Sequence, residues 1–334
     1  MYLNLLRRYA KKVSEIDIPY VHGLADLGDG CFAWLEPPGS WGLANSGIVT
    51  GPDDVLVVDT QNDMRLARAL RDAVDSAGHH TQVSTVVNTH SDSDHWSGNT
   101  LFDQARVISS DATLDEMTHM WLNQERLAEL SRGDSPFARW IRWRRRTFDY
   151  RGWRPAYPNQ TFTGALSIEA AGRPVLLTEV GPAHTGGDII VYLPSDGVLY
   201  AGDIIFTDST PMVWAGPVSR CIAACDGILS LGPRVIVPGH GPVTGQDGVR
   251  RMREYLRFVD DYATTAHAAG RSPDQAYAEI KLGEYAEWPH ASRVYHTIRV
   301  IYRDLDPERY PVDRIGALGT VLADDDGTWK SRDE

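Results

Sequence analysis

Short apolar runs recur along the first 240 residues of the chain, and each one predicts a β-strand. The clearest runs fall at 55–60, 82–90, 106–110, 189–194, 198–203 and 234–240. The fourth and fifth runs flank a Ser-Asp-Gly sequence, which is typical of the turn between two antiparallel strands. Because helical stretches separate several of the runs, the order of elements indicates an α/β fold.

The first helical stretch lies directly after the strand predicted at 55–60. Its sequence, MRLARALRDAVDSA, predicts a helix of four turns. Asn62 or Asp63 can cap the first turn, because the side-chain oxygen of either residue can accept a free backbone N–H. Gly78 can end the helix.

Two longer regions, 112–148 and 246–305, are mainly helical, and a turn at Gly270–Pro273 interrupts the second. The first region lies between two groups of chemically active residues, so we expect it to cover a site. The second follows the last such residue, so we expect it to pack outside the site or to form one of its walls. We expect one domain over 1–334, with a core at about 30–245, a helical insert at 111–155 and a helical extension at 246–315.

The chain is acidic, with a formal net charge of -12 over 334 residues. Proteins that bind nucleic acid usually carry a basic domain, so we expect no nucleic-acid partner. No segment reaches the ~20 apolar residues of a membrane span, and the first residues lack the apolar centre of a secretory signal. Three cysteines are too few for a disulfide framework, so the sequence favours the cytoplasm.

Acidic residues and histidines stand at the ends of four predicted strands. Each of these residues closes an apolar run: Asp59, His90, Asp203 and His240. In open α/β sheets, ligands bind beyond the strand ends. We therefore expect the four residues to share one site.

The segment NTHSDSDHWSGN, at 88–99, contains four side chains of the kinds that bind metals: His90, Asp92, Asp94 and His95. Alternate residues of an extended loop project to the same side, so the first three can point together. His95 then turns in from the start of the following helix. Side chains packed this densely repel one another unless a cation lies between them, so the segment predicts a metal site.

This segment resembles the H-x-H-x-D-H motif of the metallo-β-lactamase superfamily. Four further matches occur in the order found in that family: GPDDVLVVDT with Asp59, GPAHTGGD with His184, YAGD with Asp203 and VPGHGP with His240. One short motif is weak evidence, but an ordered set of five is specific. The resemblance covers roughly residues 30–245. It implies an αββα sandwich, with two sheets between outer helices and the site at one edge.

The resemblance also implies a role for each residue of the site. It places one metal ion on His90, Asp92 and His184, a second on Asp94, His95 and His240, and Asp203 between the two. Asp94 and Asp203 are expected to be catalytic as well as metal-binding. Asp59 matches an acid that orients a ligand without binding metal itself. We interpret the remaining histidines as hydrogen-bonded surface residues: His22, His79, His80, His119, His267, His290 and His296.

Position 92 departs from the family pattern, because it carries aspartate where histidine is usual. A further carboxylate makes the site harder, which suits iron or manganese better than zinc. Flavodiiron proteins, a branch of the same superfamily, carry a carboxylate there and bind two irons. We therefore expect two divalent ions, with iron favoured and zinc as the alternative. The substitution also leaves open that Asp92 does not bind and that only one ion is tightly held.

The reaction implied by such a site is hydrolysis by a metal-bridging hydroxide, which forms near neutral pH because two adjacent cations acidify a shared water. No general acid stands out in the sequence. A thiolate leaves without help, since thiols have a pKa of about 8.5, so the sequence favours a thioester. This interpretation resembles the thioesterases of the fold, including those of natural-product pathways. Lactones, glutathione thioesters, other esters and β-lactams stay open, as does a di-iron oxidoreductase.

The insert suggests an acyl-coenzyme A as the substrate. Its stretch RWIRWRRRTFDYRGWR, at 139–154, holds seven arginines, and arginine forks bind phosphates. The substrate-binding candidates are Trp96, Arg142, Arg144, Arg145, Arg146 and Trp214. Together with other tryptophans, such as Trp34, Trp41 and Trp121, they would line a pocket for a bulky apolar acyl group such as a terpenoid. The alternatives are that the arginines pair with surface acids and the tryptophans fill the core, and that the C-terminal helices form a homodimer interface.

Overall fold

The computed structural model describes residues 16–119 and 124–325, and two β-sheets form its centre. The first sheet consists, in spatial order, of β1 (Gly23–Gly28), β2 (Cys31–Leu35), β3 (Ser46–Thr50), β4 (Val55–Val58), β5 (Val83–Val87), β6 (Arg106–Ser110) and β7 (Gln160–Phe162). Neighbouring strands are antiparallel from β1 to β4 and parallel from β4 to β7. The parallel half brings the ends of β4 and β5 to the same edge of the sheet.

The second sheet follows in the chain. Its strands, in spatial order, are β8 (Ala165–Ala170), β9 (Arg173–Glu179), β10 (Ile189–Leu193), β11 (Val198–Tyr200) and β12 (Val235–Val237). All neighbours are antiparallel except β11 and β12. The predicted hairpin is confirmed, because Leu193 pairs with Val198 across the turn. The start of β10 and the ends of β11 and β12 therefore lie at one edge.

Ten α-helices surround the sheets in the described part of the chain. They are α1 (Met64–Ala77), α2 (Ser93–Trp96), α3 (Asp111–Thr118), α4 (Gln124–Leu130), α5 (Pro136–Thr147), α6 (Val218–Leu231), α7 (Gln246–Ala268), α8 (Pro273–Glu279), α9 (Val294–Leu305) and α10 (Arg314–Asp324). Short 3-10 turns occur at Ser97–Leu101, Gly202–Ile204, Gly283–Glu287 and Ala291–Arg293. None of the helices described has the length and apolar character that crossing a membrane requires.

Three apolar layers hold these elements together, which confirms the predicted αββα sandwich. Between the sheets, Leu56 and Ile108 of the first pack with Leu177 and Val191 of the second. The hydroxyl of Tyr200 also crosses this layer and donates to the carbonyl of Phe32 at 3.0 Å. On the outer faces, α1 packs against the first sheet, and α6, α7 and α9 pack against the second.

Helix α1 has the bounds that the sequence predicts. Asp63 caps it by accepting the N–H of Leu66 at 2.7 Å, and the helix ends before Gly78. Leu66, Leu70 and Val74 are fully buried on one face, as their spacing of four residues requires. Burial of one such side chain contributes about 1.5–3 kcal/mol. Strands β1–β3 and β7–β9 lie outside the runs that predict strands, although β2 is itself an apolar run of five residues.

The insert and the C-terminal extension meet on the same side of the molecule. Trp140 and Ile141 of α5 pack against Leu318 and Val321 of α10. Helix α10 lies largely beyond the extension predicted at 246–315. Asp313 caps it, and its buried apolar face continues the helical region to Asp324. The helix interruption predicted at Gly270–Pro273 is confirmed, since α7 ends at Ala268 and α8 begins at Pro273.

The acidic sequence from Ala323 to Glu334 predicts a frayed tail. For Ala323 to Asp325 this prediction is wrong, since Asp325 is buried and accepts the hydroxyl of Ser292 at 2.5 Å. Three predictions concern residues outside the described part of the chain. They are the absence of a secretory signal, the tail beyond residue 325 and the place of Trp121 in a pocket.

Candidate metal centre

The chemically active residues come together at one edge of the two sheets. Asp59 follows β4, His90 follows β5, and His184 precedes β10. The 3-10 turn after β11 carries Asp203, and the loop after β12 carries His240. Since these strand ends share one edge, residues separated by up to 181 positions become neighbours.

Asp203 lies at the centre of the cluster. Its Oδ2 is 3.3 Å from His240 Nε2, 3.4 Å from His184 Nε2 and 3.9 Å from His90 Nε2. Its other oxygen, Oδ1, is 3.2 Å from His95 Nε2. One carboxylate therefore faces all four histidines of the motif positions.

Asp92 and Asp94 complete the cluster on its outer side. Asp92 Oδ2 is 3.2 Å from His184 Nε2 and 4.0 Å from His90 Nε2. Asp94 Oδ2 is 3.5 Å from His240 Nε2. The Asp92 side chain is 35% exposed and that of Asp94 13%, whereas that of Asp203 is 4% exposed. Solvent therefore reaches the cluster from the Asp92 side.

The cluster fits divalent metal ions. Three groups of ligand atoms each lie within 4.8 Å of one another: His90 with Asp92 and His184, His90 with His95 and Asp203, and Asp94 with His95 and His240. Among the described residues, buried His90 Nε2, His95 Nε2 and Asp203 Oδ1 have no hydrogen-bond partner. Buried polar atoms are rarely left in this way, and nitrogen and carboxylate oxygen are ligands of first-row divalent ions.

In three of the histidines the protein also contacts Nδ1, the ring nitrogen that faces away from the cluster. Asp59 Oδ2 lies 2.7 Å from His95 Nδ1, and the carbonyl of Met212 lies 2.7 Å from His184 Nδ1. Thr89 Oγ1 lies 2.9 Å from His90 Nδ1 and also donates to Asp59 Oδ2. Such bonds fix the orientation of the ring and leave Nε2 to face the cluster.

The backbone is tight around the two buried acids. Asp59 has a φ of +61°, a left-handed conformation that costs free energy for a residue other than glycine. Its carboxylate is held in place by the N–H of Thr89 at 2.8 Å, as well as by the bonds above. A Cβ at Gly202 would lie 2.6 Å from Thr89 Oγ1, and a Cβ at Gly239 would collide with Asp203 Oδ1. Glycine is therefore required at both positions for the loops to close on Asp203.

The charges of the cluster are strongly coupled. Burial opposes ionisation of Asp203 and Asp92, but the neighbouring histidines hold the pKa of each carboxyl well below its usual range. Burial also opposes protonation of His184, yet Asp203 and Asp92 raise its pKa to about 9. In His90, burial and the charge of His95 lower the pKa. A cation that binds here must displace protons from the histidines of raised pKa.

Family and structural comparisons agree with this arrangement. The profile of the family described as the metallo-beta-lactamase superfamily matches residues 39–240, which is more than half of the chain. The chain belongs to the metallo-beta-lactamase superfamily. Members of this superfamily are metal-dependent hydrolases that bind divalent ions, usually zinc, and the His/Asp cluster fits that chemistry. No curated protein matches the sequence.

Solved structures with this superfamily fold superpose on the chain at low sequence identity. The inverting sec-alkylsulfatase Pisa1 from Pseudomonas sp. gives a TM-score of 0.66 at 18% identity and covers 89% of this chain and 52% of its own length. A metallo-beta-lactamase from Pontibacter korlensis gives 0.53 at 16% identity and covers 70% of this chain and 98% of its own. The chain thus spans about half the length of the alkylsulfatase. At these identities the likeness concerns the fold alone.

Asp92, the departure from the superfamily pattern, has a partner that sequence reasoning missed. The indole Nε1–H of Trp214 donates to Asp92 Oδ2 at 2.9 Å. Trp214 had been predicted to contact substrate. Its ring packs edge-on against His296, at 4.9 Å between ring centroids. His296 is itself buried, so its predicted place on the surface is wrong.

Glu116 of the insert joins two loops of the centre. Its Oε2 accepts the hydroxyl of Ser91 at 2.6 Å, and its Oε1 accepts the N–H of Gly186 at 3.0 Å. Ser91 lies between His90 and Asp92, and Gly186 lies two residues after His184. The insert therefore contacts two ligand loops of the centre and fixes their spacing.

Arg144 of α5 makes a second connection between the insert and the ligand segment. Its NH2 is 3.2 Å from Asn62 Oδ1, 3.3 Å from Ser93 Oγ and 3.2 Å from Tyr150 Oη. Its guanidinium also stacks over Trp140. Asn62, one of the two predicted helix caps, instead receives hydrogen bonds from Ser93 and Tyr150 at 3.0 and 3.1 Å.

The other predicted substrate residues lie in different surroundings. Trp96 is 1% exposed and donates to the carbonyl of Ser91 at 2.9 Å, so it packs under the ligand loop. Arg142 donates to carbonyl groups of the turn before α5. Arg145 and Arg146 are exposed on α5. These two arginines are therefore the members of the set that a phosphate in solution can reach.

Proposed function

We propose that this chain hydrolyses its substrate at a binuclear metal centre. One ion is assigned to His90, Asp92 and His184, the second to Asp94, His95 and His240, and Asp203 lies between them. The observation that supports this most is the position of the Asp203 carboxylate, which faces all four histidines within 3.2–3.9 Å. A buried carboxylate that faces four histidines is costly to remove from water, and bound cations would offset that cost.

When bound, two divalent ions supply an acidified water as nucleophile and positive charge for the oxyanion that forms. The chain itself contributes orientation. Asp59, Thr89 and the carbonyl of Met212 hold ring nitrogens so that the opposite nitrogens converge. A cysteine nucleophile is not supported, because Cys31, Cys221 and Cys225 are all buried and burial raises the pKa of each thiol.

The proposed substrate is a thioester. Thr89 and Trp214 place a hydroxyl and an indole against ligands of the cluster, and neither group gives up a proton at neutral pH. A leaving group that departs as a stable anion needs no such proton, and a thiolate meets this requirement. Lactones and activated esters satisfy the same condition and are the alternatives within the hydrolase class.

Coenzyme A is the proposed thiol, and Arg145 and Arg146 are its proposed phosphate contacts. Both arginines are exposed on α5, on the insert that covers the centre. The proposed acyl group is bulky and apolar, such as a terpenoid, because the insert is rich in tryptophan. This part of the proposal depends on the insert alone and not on the metal centre.

A second candidate substrate is an alkyl sulfate. The alkylsulfatase matches 89% of this chain, so its likeness extends beyond the residues that the family profile covers. Sulfate as a leaving group is also a stable anion that needs little help from an acid. The two candidates therefore share one centre and differ only in the group that binds beside it.

We propose iron as the physiological metal, with zinc as the alternative. Asp92 supplies an oxygen where the superfamily usually has nitrogen, so the set of ligands holds one more carboxylate than the usual pattern. A di-iron centre also permits redox chemistry. Consumption of oxygen or nitric oxide by the reduced protein would replace the hydrolase proposal with an oxidoreductase.

A substrate screen tests the proposal directly. The metal-loaded protein is assayed with acyl-coenzyme A, the same acyl group on N-acetylcysteamine, an acyl-glutathione, a lactone, a secondary alkyl sulfate and a chromogenic cephalosporin. We expect hydrolysis of the thioesters, and at least tenfold lower kcat/KM when N-acetylcysteamine replaces coenzyme A. Activity on lactones or sulfates alone would contradict the thioester proposal.

The screen also tests the phosphate contacts. Substitution of both Arg145 and Arg146 by Gln is expected to raise KM for the acyl-coenzyme A and to leave the N-acetylcysteamine thioester unaffected, because only the former carries phosphates. Equal effects on both thioesters would exclude a phosphate contact at these arginines.

A further inference from the structure

Arg293 is a buried arginine beside the metal centre that the proposed chemistry does not use. It ends the 3-10 turn before α9 and is 3% exposed. Burial lowers the pKa of its guanidinium to about 10, so the group stays charged at neutral pH. Its guanidinium carbon lies 4.1 Å from the centroid of the Trp41 ring.

No carboxylate pairs with this charge in the described part of the chain. Within residues 16–119 and 124–325, no Asp or Glu oxygen lies within 4.0 Å of the guanidinium, and its hydrogen bond goes from NH1 to the carbonyl of Thr210 at 3.2 Å. A buried charge that contacts no counter-ion is costly to remove from water. By comparison, Arg173, which is also largely buried, is paired with Asp196 at 2.8 Å.

Donor atoms around Arg293 lack acceptors. Arg293 Nε and the Nε1 of its stacking partner Trp41 are both buried and have no hydrogen-bond partner among the described residues. The hydroxyl of Thr210, whose carbonyl Arg293 contacts, is likewise buried without a partner. Guanidinium and indole nitrogens can only donate, so a group that satisfies them must be an acceptor. A positive charge with neighbouring free donors matches an oxyanion.

This arginine lies next to the cluster. The segment that holds it, at Thr210, also carries the Met212 carbonyl that orients His184. Arg293 lies 5.9 Å from the ring of Phe206, which stacks on His240 at 5.1 Å. The charges of Asp325, Asp203 and Asp94, in that order, also act on the guanidinium from beyond contact distance.

We propose that Arg293, with Trp41, binds an anionic oxygen group of the substrate, a carboxylate or a sulfate, beside the hydrolysed bond. The inference rests on the proposed hydrolase function. In the metal-free cluster the carboxylates attract the guanidinium. With the carboxylates neutralised by bound cations, the positive charge of Arg293 is left to attract an anion that reaches the centre.

Anion binding by the metal-loaded protein tests this inference without any assay of activity. Sulfate and benzoate are titrated at constant ionic strength, with chloride as the background, and binding is followed by calorimetry. We expect wild type to bind at least one of the two anions and Arg293→Met, which keeps the apolar stem, to bind it at least tenfold more weakly. The stronger of the two anions identifies the class, sulfate ester or carboxylate.

Two further variants serve as controls. Arg253→Gln removes an arginine of α7 that pairs with Asp226 of α6, and this variant should bind anions like wild type. If Arg293→Met fails to fold, Arg293→Lys retains the charge and loses the Nε donor, so a several-fold loss of anion binding is expected from it. Equal binding by wild type and a folded Arg293 variant, or no binding by wild type, would overturn the inference.

A pair of thioesters separates this inference from the proposed function. N-acetylcysteamine thioesters of glutaric acid and of pentanoic acid differ mainly in one carboxylate. Arg293→Met should lower kcat/KM at least tenfold for the glutaryl thioester and less than twofold for the pentanoyl thioester. If wild type hydrolyses neither ester but binds anions through Arg293, the hydrolase proposal fails and the anion site stands. If the variant hydrolyses both as wild type does, the anion site fails and the hydrolase stands.

Discussion

The indole of Trp214 donates a hydrogen bond of 2.9 Å to Asp92, a residue 122 positions earlier in the chain. Asp92 is the position at which this chain departs from the superfamily pattern and is also the most exposed acid of the cluster. The hydrogen bond holds the carboxylate beside His184. An aspartate side chain is shorter than that of a histidine. The hydrogen bond from the indole fixes the orientation of the carboxylate, whereas a histidine ring at this position would be held by its own size.

Loss of this donor should weaken metal binding. We expect Trp214→Phe to keep the fold and to reduce affinity for one of two metal ions by about 10–100-fold, the usual effect of removing a group that orients a ligand. Titration of the metal-free protein with zinc or iron measures this. Trp34→Phe is the matched control, because Trp34 donates at the same distance, 2.9 Å, to Glu36, away from the cluster. Equal losses in both variants would contradict a specific role for Trp214.

Glu116 should act on both loops that it joins. Glu116→Ala leaves Ser91 and the N–H of Gly186 without their acceptor, so we expect a loss of about 1–3 kcal/mol in unfolding free energy and at least tenfold weaker metal binding. Urea unfolding and metal titration measure the two effects. Asp115→Ala, one position earlier on the exposed side of α3, should change neither. A stability loss without any change in metal binding would limit Glu116 to a structural role.

The choice of metal should follow position 92. Asp92→His restores the residue that is usual in the superfamily, and nitrogen suits zinc better than iron. We therefore expect the variant, produced without added metal, to contain a higher ratio of zinc to iron than wild type. Elemental analysis gives the ratio. An unchanged metal content would remove the reason to prefer iron in the native protein.

Buried His296 should make the protein sensitive to acid. Burial lowers the pKa of His296 to about 4, whereas a histidine in the unfolded chain titrates at about 6.5. The unfolded chain therefore binds a proton that the folded protein refuses, and stability falls as the pH drops from about 6.5 towards 4. The full effect is on the order of 3 kcal/mol.

Urea unfolding of the metal-free protein between pH 7.5 and 5 checks this prediction. We expect the stability of His296→Phe to fall less steeply with pH than that of wild type. The exposed His80 is the control position, where substitution by Asn should leave the pH dependence as it is in wild type. Parallel curves for wild type and His296→Phe would contradict the prediction.

Local sequence predicts most of the candidate site, because each motif residue stands at the end of an apolar run or within one short segment. Strand ends of one sheet share an edge, so Asp59 and His90, which follow β4 and β5, could be expected to meet from the order of elements alone. The bounds of α1 could also be predicted, since Asp63 and Gly78 cap the helix through hydrogen bonds to residues close to them in sequence.

Contacts between distant segments could not be predicted. Trp214 bonds to Asp92 because the loop after Asp203 packs on the ligand segment, and Arg293 stacks on Trp41 because the turn before α9 packs on the loop between β2 and β3. No periodicity in the sequence encodes either contact. Arg144 and Glu116 likewise stand in the insert with no motif around them. Their function depends on tertiary structure, so an arginine-rich segment is not by itself evidence of phosphate binding.

The central claim is that seven side chains bind a pair of metal ions through Asp203, and the metal content of Asp203→Ala tests it most directly. Wild type and variant are loaded with zinc or iron, separated from free metal and analysed for bound metal, with folding checked by circular dichroism. We predict about two ions per wild-type chain, less than one per folded variant chain, and no measurable hydrolysis by the variant. A folded Asp203→Ala protein that keeps two ions and near-normal turnover would contradict the account.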